Sequence, residues 1–182
     1  MAGPCRPRAL NCTMQTPGFR HWLLPLLAAA GACSPPGGGA AAGDGDMLTA
    51  ATLGEQTQRA PAEYLAEAPY ATASEALGER LLLQCKACHT FAAGAPHMVG
   101  PNLHGLFGRE AGSADGFDYS DALAQAGFVW TPRAVDAWLT QPQNFLPGNR
   151  MTFAGIPYAD DRTALIAALL RAAAADGSQS NQ

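Results

Sequence analysis

The sequence predicts an all-α protein in which three main helices are joined by long loops. Apolar residues recur at helical spacing in three capped segments, and no segment alternates apolar and polar residues as a strand does. Glycine and proline recur every few residues from position 90 to 127, which predicts an irregular region. A compact domain tolerates so long a loop only where something else organises it, and a large apolar cofactor would do that.

The three helices have recognisable ends. The first is predicted in "SEALGERLLLQCKACH", where Ser74 is the N-cap and glutamates lie near the positive end of the helix. The second, "TPRAVDAWLTQP", has Thr131 as N-cap, Pro132 in its first turn and Pro142 after its end. The third, "DDRTALIAALLRAAAA", has acids at its start and Gly177 beyond its end.

The N-terminus is predicted to carry an export signal. A basic pair precedes the apolar run from Trp22 to Ala32, which is too short to span a bilayer but has the length of a secretory signal core. The run ends in "AAGAC", which resembles the lipobox of bacterial lipoproteins, so Cys33 is predicted to be the lipidated first residue of the mature chain. An ordinary secretory signal is the alternative. Met14 is a better start than Met1, because the signal is then compact.

The segment after the signal is predicted to be a tether. Ser34 to Asp46 is almost entirely proline, glycine and alanine, which is the composition of a linker. "PAEYLAEA" allows a helical turn, but Pro61 and Pro69 break any long helix. As a flexible coil the tether would reach about 35 Å. The predicted organisation is a signal in residues 1–33, a tether in 34–73, a folded domain in 74–175 and a disordered tail in 176–182.

Charge limits the choice of partners. Without residues 1–33 the chain keeps eight basic and fifteen acidic residues, a formal net charge of −7. An acidic protein is poorly suited to binding nucleic acid, so no nucleic-acid partner is predicted. Lys86 is the only lysine of the whole chain.

The stretch "QCKACHT", residues 84–90, holds two thiols and an imidazole. A redox dithiol of the thioredoxin type lies in a βαβ unit, and no strand pattern flanks this one. A zinc site needs two more ligands, and His97 and His104 would complete a set with Cys85 and Cys88. However, the "MVGPN" between the two histidines has no finger-like turn.

Attachment of a haem uses the whole motif. Cys85 and Cys88, three apart on the last helical turn, can form thioethers with one porphyrin edge, and His89 can ligate the iron. A second iron ligand is then expected downstream. Met151 in "LPGNRMTFAGIP" is favoured over the other methionines, which lie too close to His89 or in the predicted tether. A single methionine is otherwise most often a core residue.

Residues 74–175 resemble the class I cytochromes c of the mitochondrial and alphaproteobacterial kind. "CKACH", "VGPNLHGLFGR", "GFDYSDAL", "VWT" and "PGNRMTFAGI" match that family in order. The resemblance implies the class I cytochrome c fold, with long loops wrapped around one covalent haem c. It implies attachment through Cys85 and Cys88, with His89 and Met151 as the axial ligands. Methionine ligation raises the potential of haem iron.

The resemblance also implies which side chains surround the haem. The residues so implied are Pro101, Arg109, Tyr119, Trp130, Trp138, Asn149 and Phe153. Pro101 is expected to accept the ring N–H of His89 through its carbonyl. Arg109, Tyr119 and Trp130 are expected to contact a buried propionate. A further implication is that Gly78 lets the first and last helices cross closely.

Four positions depart from the family pattern. Trp138 stands where a tyrosine is usual and Leu123 where an asparagine is usual, so we expect a drier pocket and a higher potential unless the indole N–H has its own partner. Asn149 replaces a threonine that bonds a propionate and could still do so. Arg150 replaces a lysine that can displace methionine at alkaline pH, and an arginine cannot ligate iron.

The resemblance implies a monohaem electron carrier and not an enzyme, because protein side chains fill both axial positions. Its partners would be a quinol-oxidising cytochrome bc complex and a terminal haem–copper oxidase or another periplasmic acceptor. With the lipid anchor on Cys33, the protein is predicted to be a membrane-anchored monomer that faces the periplasm. The alternatives are a sensor in which NO or CO displaces Met151, and a cytochrome subunit of a larger oxidoreductase.

Overall fold

The computed structural model describes residues 47–174. The predicted signal, Cys33, the first part of the tether and the C-terminal tail lie outside the described residues. Within the described range the chain forms helices α1 (Pro61–Leu65), α2 (Glu75–Lys86), α3 (Asp121–Ala124), α4 (Pro132–Thr140), α5 (Pro142–Phe145) and α6 (Ala159–Ala172), with a 3-10 turn at Tyr70–Thr72. Helices α2, α4 and α6 are the three that the sequence predicts. The all-α class I cytochrome c fold is confirmed.

The predicted N-caps of α2 and α4 are present. The Ser74 hydroxyl accepts the backbone N–H of Leu77 at 3.4 Å, and the Thr131 hydroxyl accepts that of Ala134 at 3.2 Å. Each cap satisfies a donor that the helix itself leaves unpaired. Pro142 does end α4, but it also begins the short helix α5, a segment that the sequence predicts as loop.

Helices α2 and α6 cross closely at Gly78. A methyl group on Gly78 would lie 3.1 Å from the Cβ of Ala168 and would also collide with the backbone carbonyl of Ala164. Leu82 and Leu165 are both fully buried at this crossing. The predicted requirement for glycine at the crossing is therefore met by the structure.

The middle of helix α6 is buried on every side. Each residue from 164 to 170 is buried, so this stretch has no exposed stripe. Helix α2 covers one side and α4 another, and a third is covered by α1 and the Tyr70 turn from the N-terminal part of the chain. A helix that is apolar all round needs such complete cover to be stable.

The predicted tether is wrong for residues 47–73, which we call the strap. Leu53 is 1% exposed and belongs to the core, and Tyr64, Leu65 and Tyr70 pack against that core. The physical reason is burial, because several large apolar side chains in the strap cover apolar surface that would otherwise meet water. The folded domain therefore includes the strap and does not begin at Ser74.

The irregular region between α2 and α4 is present as predicted. It contains only the short helix α3 and, among residues 47–174, one isolated antiparallel bridge between Glu110 and Val129. None of the helices in the described range is long and apolar enough to cross a membrane.

Candidate functional site

One cavity of about 600 Å³ lies between the end of α2, the irregular region, α4 and the loop before α6. Its volume is in the range of pockets that hold a large organic ligand. Ten of the eleven predicted site residues line it, namely Cys85, Cys88, His89, Pro101, Arg109, Tyr119, Trp130, Trp138, Met151 and Phe153. Leu123 lines it as well, whereas Asn149 does not.

One wall of the cavity holds His89 in a fixed orientation. Its Nδ1 lies 2.7 Å from the Pro101 carbonyl oxygen, as predicted. A carbonyl only accepts, so Nδ1 carries the proton and donates, which leaves the lone pair of Nε2 for a ligand. Burial lowers the pKa of the His89 imidazole, and the hydrogen bond to Pro101 opposes that shift. The neutral ring that a metal needs is therefore favoured.

Gly100 lies against the face of this imidazole. A methyl group at Gly100 would lie 2.7 Å from both ring nitrogens of His89. The Gly100 N–H also donates to the Cys88 carbonyl at 2.9 Å, which ties the loop to the cysteine motif. The sequence analysis does not identify this role, although the glycine stands directly before the expected hydrogen-bond acceptor, Pro101.

The two cysteines lie where α2 ends. Cys85 is in the last turn, and the N–H groups of Cys88 and His89 both donate to its carbonyl, at 3.1 and 2.9 Å. Burial raises the pKa of the Cys85 thiol to about 11. A redox dithiol needs a thiolate with a lowered pKa. The burial of Cys85 therefore argues against that interpretation of the motif.

The zinc interpretation also fails. His97 accepts the N–H of Asn102 at Nδ1 (2.9 Å), and its Nε2 donates to the carbonyl of Asp115 (2.8 Å). Both ring nitrogens are thus used within the loop. In the part of the chain that the structure describes, no three His, Cys, Asp or Glu side chains are grouped to hold a metal ion.

Met151 also lines the cavity. The indole N–H of Trp138 donates to the Met151 sulfur at 3.3 Å. The pocket therefore differs from the one expected, since the indole does have a partner. A thioether sulfur has two lone pairs, so one remains for a second contact.

Asn149 has a different role from the one predicted. Its side-chain NH₂ donates to the carbonyls of Pro142 (2.9 Å) and Leu146 (2.8 Å), and its Oδ1 accepts the N–H of Met151 (2.9 Å). Both amide hydrogens are used by the backbone, so the side chain has none left for a propionate. Asn149 instead holds the loop that carries Met151.

Arg109 is a partly buried cation. Its guanidinium donates to the carbonyls of His104 (3.0 Å) and Asn102 (3.1 Å), and within residues 47–174 it forms no salt bridge. Burial lowers the pKa of Arg109, and burial raises the pKa of the neighbouring Tyr119. A partly buried cation without a carboxylate partner suits an anionic group in the cavity. A haem with its propionates fits this residue set.

The fold and this site together define a haem-binding protein with a covalently attached cofactor. Sequence comparison finds cytochrome c of Kluyveromyces lactis, 41% identical over 106 residues that cover 58% of this chain and 96% of the relative. Cytochrome c2 of Rhodoblastus acidophilus is 43% identical over 102 residues, covering 56% and 94%. Cytochrome c-550 of Ancylobacter novellus is 40% identical over 110 residues, covering 57% and 99%. No protein-family model matches the chain.

The chain belongs to the cytochrome c family. It is an electron carrier and not an enzyme, and its cofactor is one haem c bound covalently through two cysteines.

Replacing Trp138 with phenylalanine is expected to lower the reduction potential by about 40 mV. With the Met151 sulfur as the expected iron ligand, the indole N–H would draw electron density from it and disfavour the more positive ferric state. Losing a hydrogen bond of about 1 kcal/mol corresponds to that shift for one electron. Redox titration of Trp138→Phe measures it. Tyr158→Phe, a change at a side chain that is 71% exposed, is the control and should leave the potential unchanged.

Proposed function

We propose that this protein is a membrane-tethered monohaem cytochrome in which Cys85 and Cys88 attach the haem and His89 and Met151 ligate its iron. It would carry one electron from a quinol-oxidising cytochrome bc complex to a terminal haem–copper oxidase or another periplasmic acceptor. The observation that supports this most directly is the single cavity that gathers two thiols, an imidazole with Nε2 free and a thioether. The bound haem would supply the chemistry, the uptake and release of one electron.

The residues around the cavity would hold that cofactor in one geometry. Pro101 fixes the ring orientation of His89, and Trp138 and Asn149 fix the sulfur and the backbone of Met151. Arg109 would meet a propionate. Because both axial groups are held by hydrogen bonds before any electron arrives, little rearrangement would accompany a change of charge.

The surface beside the cavity carries little net positive charge. Arg150 forms a salt bridge with Asp118 at 3.1 Å, and both residues line the cavity. Lys86 is the chain's single lysine. Residues 47–174 contain eight basic and twelve acidic side chains, so no ring of lysines is available to steer a partner. Tethering to the same membrane as the partner would supply an effective concentration in its place.

The tether that we propose is shorter than the one first expected. The strap packs on the domain, so it cannot serve as a tether. That leaves Ser34 to Asp46, which has the composition of a linker. Thirteen residues of such a chain reach roughly 20 Å, at about 5–6 Å × √n. We propose that a lipid on Cys33 anchors this linker, because the lipobox-like "AAGAC" ends the signal. Several acyl chains hold a protein on a membrane much more firmly than one.

Mass spectrometry of the membrane fraction tests the proposal in one measurement. The mature chain should begin at Cys33 and carry both the haem mass and acyl groups. An unmodified N-terminus in the soluble fraction would contradict the anchor but leave the haem site intact. A chain without the haem mass would contradict the attachment site. Rapid binding of CO by the reduced wild-type protein would favour a gas sensor instead.

We predict that no lysine-ligated form appears at high pH. The residue before Met151 is Arg150, whose guanidinium offers no acceptor lone pair for iron and is held by Asp118. Absorption spectra of the oxidised protein should therefore show no new nitrogen-ligated species as the pH passes the ordinary lysine pKa of about 10.4. Arg150→Lys should create such a species. A lysine-ligated form in the wild type, with no change in Arg150→Lys, would refute the prediction.

A further inference from the structure

The strap is attached to α4 and α5, which lie directly before the Met151 loop in the sequence. The N–H of Ala50 donates to the carbonyl of Phe145, the last residue of α5, at 2.8 Å. The hydroxyl of Thr131, the N-cap of α4, bonds to the side-chain oxygen of Gln56. Leu53 lies between these two attachments in the sequence and is fully buried. The strap thus holds the start of α4 and the end of α5 at once.

Two routes of direct contact lead from α5 to Met151. In the first, the ring of Phe145 packs edge-to-face on Trp138 with centroids 6.0 Å apart, and the indole N–H of Trp138 reaches the Met151 sulfur. In the second, the side chain of Asn149 donates to the carbonyl of Pro142 in α5 and accepts the Met151 N–H. The first route fixes the sulfur and the second fixes the backbone.

We propose that the strap is a positioning element for Met151, acting through α5, and that Leu53 is its central residue. The inference rests on the proposed function, in which Met151 ligates the iron. A strap that holds α5 in place preserves both sets of contacts to Met151, so Met151 leaves the iron less often. The opposing view is that the strap only covers the apolar face of α6. That view predicts a loss of global stability without a specific effect on Met151.

The two parts of the strap allow a matched comparison. Leu53 lies between the contacts to α4 and α5, whereas Leu65 belongs to α1, which packs on α6. Leu53→Ala and Leu65→Ala remove the same atoms from the same segment. Only the first is expected to loosen Met151, because only the first weakens the hold on α5.

The experiment uses the full-length haem-loaded protein and imidazole as the probe. Imidazole binds ferric haem when Met151 leaves the iron, so its limiting binding rate in native buffer reports that opening. Leu53→Ala should raise the rate about tenfold, a decrease of about 1.4 kcal/mol in the activation free energy of opening. Leu65→Ala should stay within about twofold of the wild type. Denaturant unfolding of both variants gives the global stability for comparison.

An unchanged rate in Leu53→Ala, or equal increases in both variants, would overturn the proposal. Should Leu53→Ala fail to take up haem, the milder Leu53→Val is measured instead, and a rate less than twice that of the wild type would count against the strap. A wild-type protein that lacks the methionine–iron absorption band would contradict the proposed ligand, which is a separate failure.

Discussion

Replacing Met151 with alanine is expected to abolish the long-wavelength methionine–iron absorption band of the oxidised protein and to lower its reduction potential by on the order of 100 mV or more. In the proposed function the Met151 thioether is the soft ligand that favours ferrous iron, and its sulfur is held by the indole N–H of Trp138. Without it a coordination position opens, and the reduced protein should bind CO rapidly. The measurements are the oxidised spectrum, a redox titration and CO binding after photolysis.

Met98→Ala is the matched control for this substitution. Met98 is half exposed and does not line the cavity, although the chain places it near His89. Its loss should leave the absorption band, the potential and CO binding as in the wild type. A Met151→Ala protein with an intact band would show that another side chain ligates the iron, and Met98 would then be the first residue to test.

Gly100→Ala is expected to have the second-largest effect, a loss of about 3 kcal/mol in the free energy of unfolding. The added methyl would overlap the imidazole of His89, lying 2.7 Å from both nitrogens. The ring has little room to move, because Nδ1 is bonded to Pro101 and the Gly100 N–H is bonded to Cys88. Displacing the ring would also weaken its bond to iron, so the variant should show a high-spin fraction when reduced. Denaturant unfolding and the reduced absorption spectrum measure the two effects.

Gly94→Ala separates steric overlap from backbone strain. Gly94 has φ +67°, and a methyl group there would meet nothing within 4 Å. The substitution should lower the free energy of unfolding by about 1–2 kcal/mol, because alanine is strained in a left-handed backbone conformation. The haem spectrum should be unchanged. The prediction would be wrong if Gly100→Ala were no more destabilising than Gly94→Ala and kept a wild-type spectrum. The packing of Gly100 on His89 would then affect neither the stability nor the haem site.

The sequence was sufficient for the helices and for most of the site. The caps at Ser74 and Thr131 fixed where α2 and α4 begin, because capping is a local hydrogen bond within one turn. The cysteine motif is likewise local, and ten of the eleven predicted residues line one cavity. These features depend on residues close together in the chain or on motifs specific enough to identify the family.

The first error concerns partners that are distant in the chain. Pro61 and Pro69 suggested an unstructured tether, but Leu53 and Tyr70 bury apolar surface against parts of the domain that follow them in the sequence. The composition did indicate that this segment is folded, because large apolar residues return after Asp46. Asn149 was given to a propionate because it replaces a threonine, whereas its amide bonds to α5. Nothing in the local sequence shows which acceptor an amide will meet.

The sequence by itself determined the chemistry of this protein: a C-x-x-C-H motif, a methionine loop and a chain with a single lysine. Those properties are set by residue identity and short spacing. Only the tertiary structure decided how that chemistry is held, with Gly100 against His89, Trp138 on the Met151 sulfur and the strap on α5. These contacts join residues far apart in the chain, and close packing selects among the many partners that composition alone would allow.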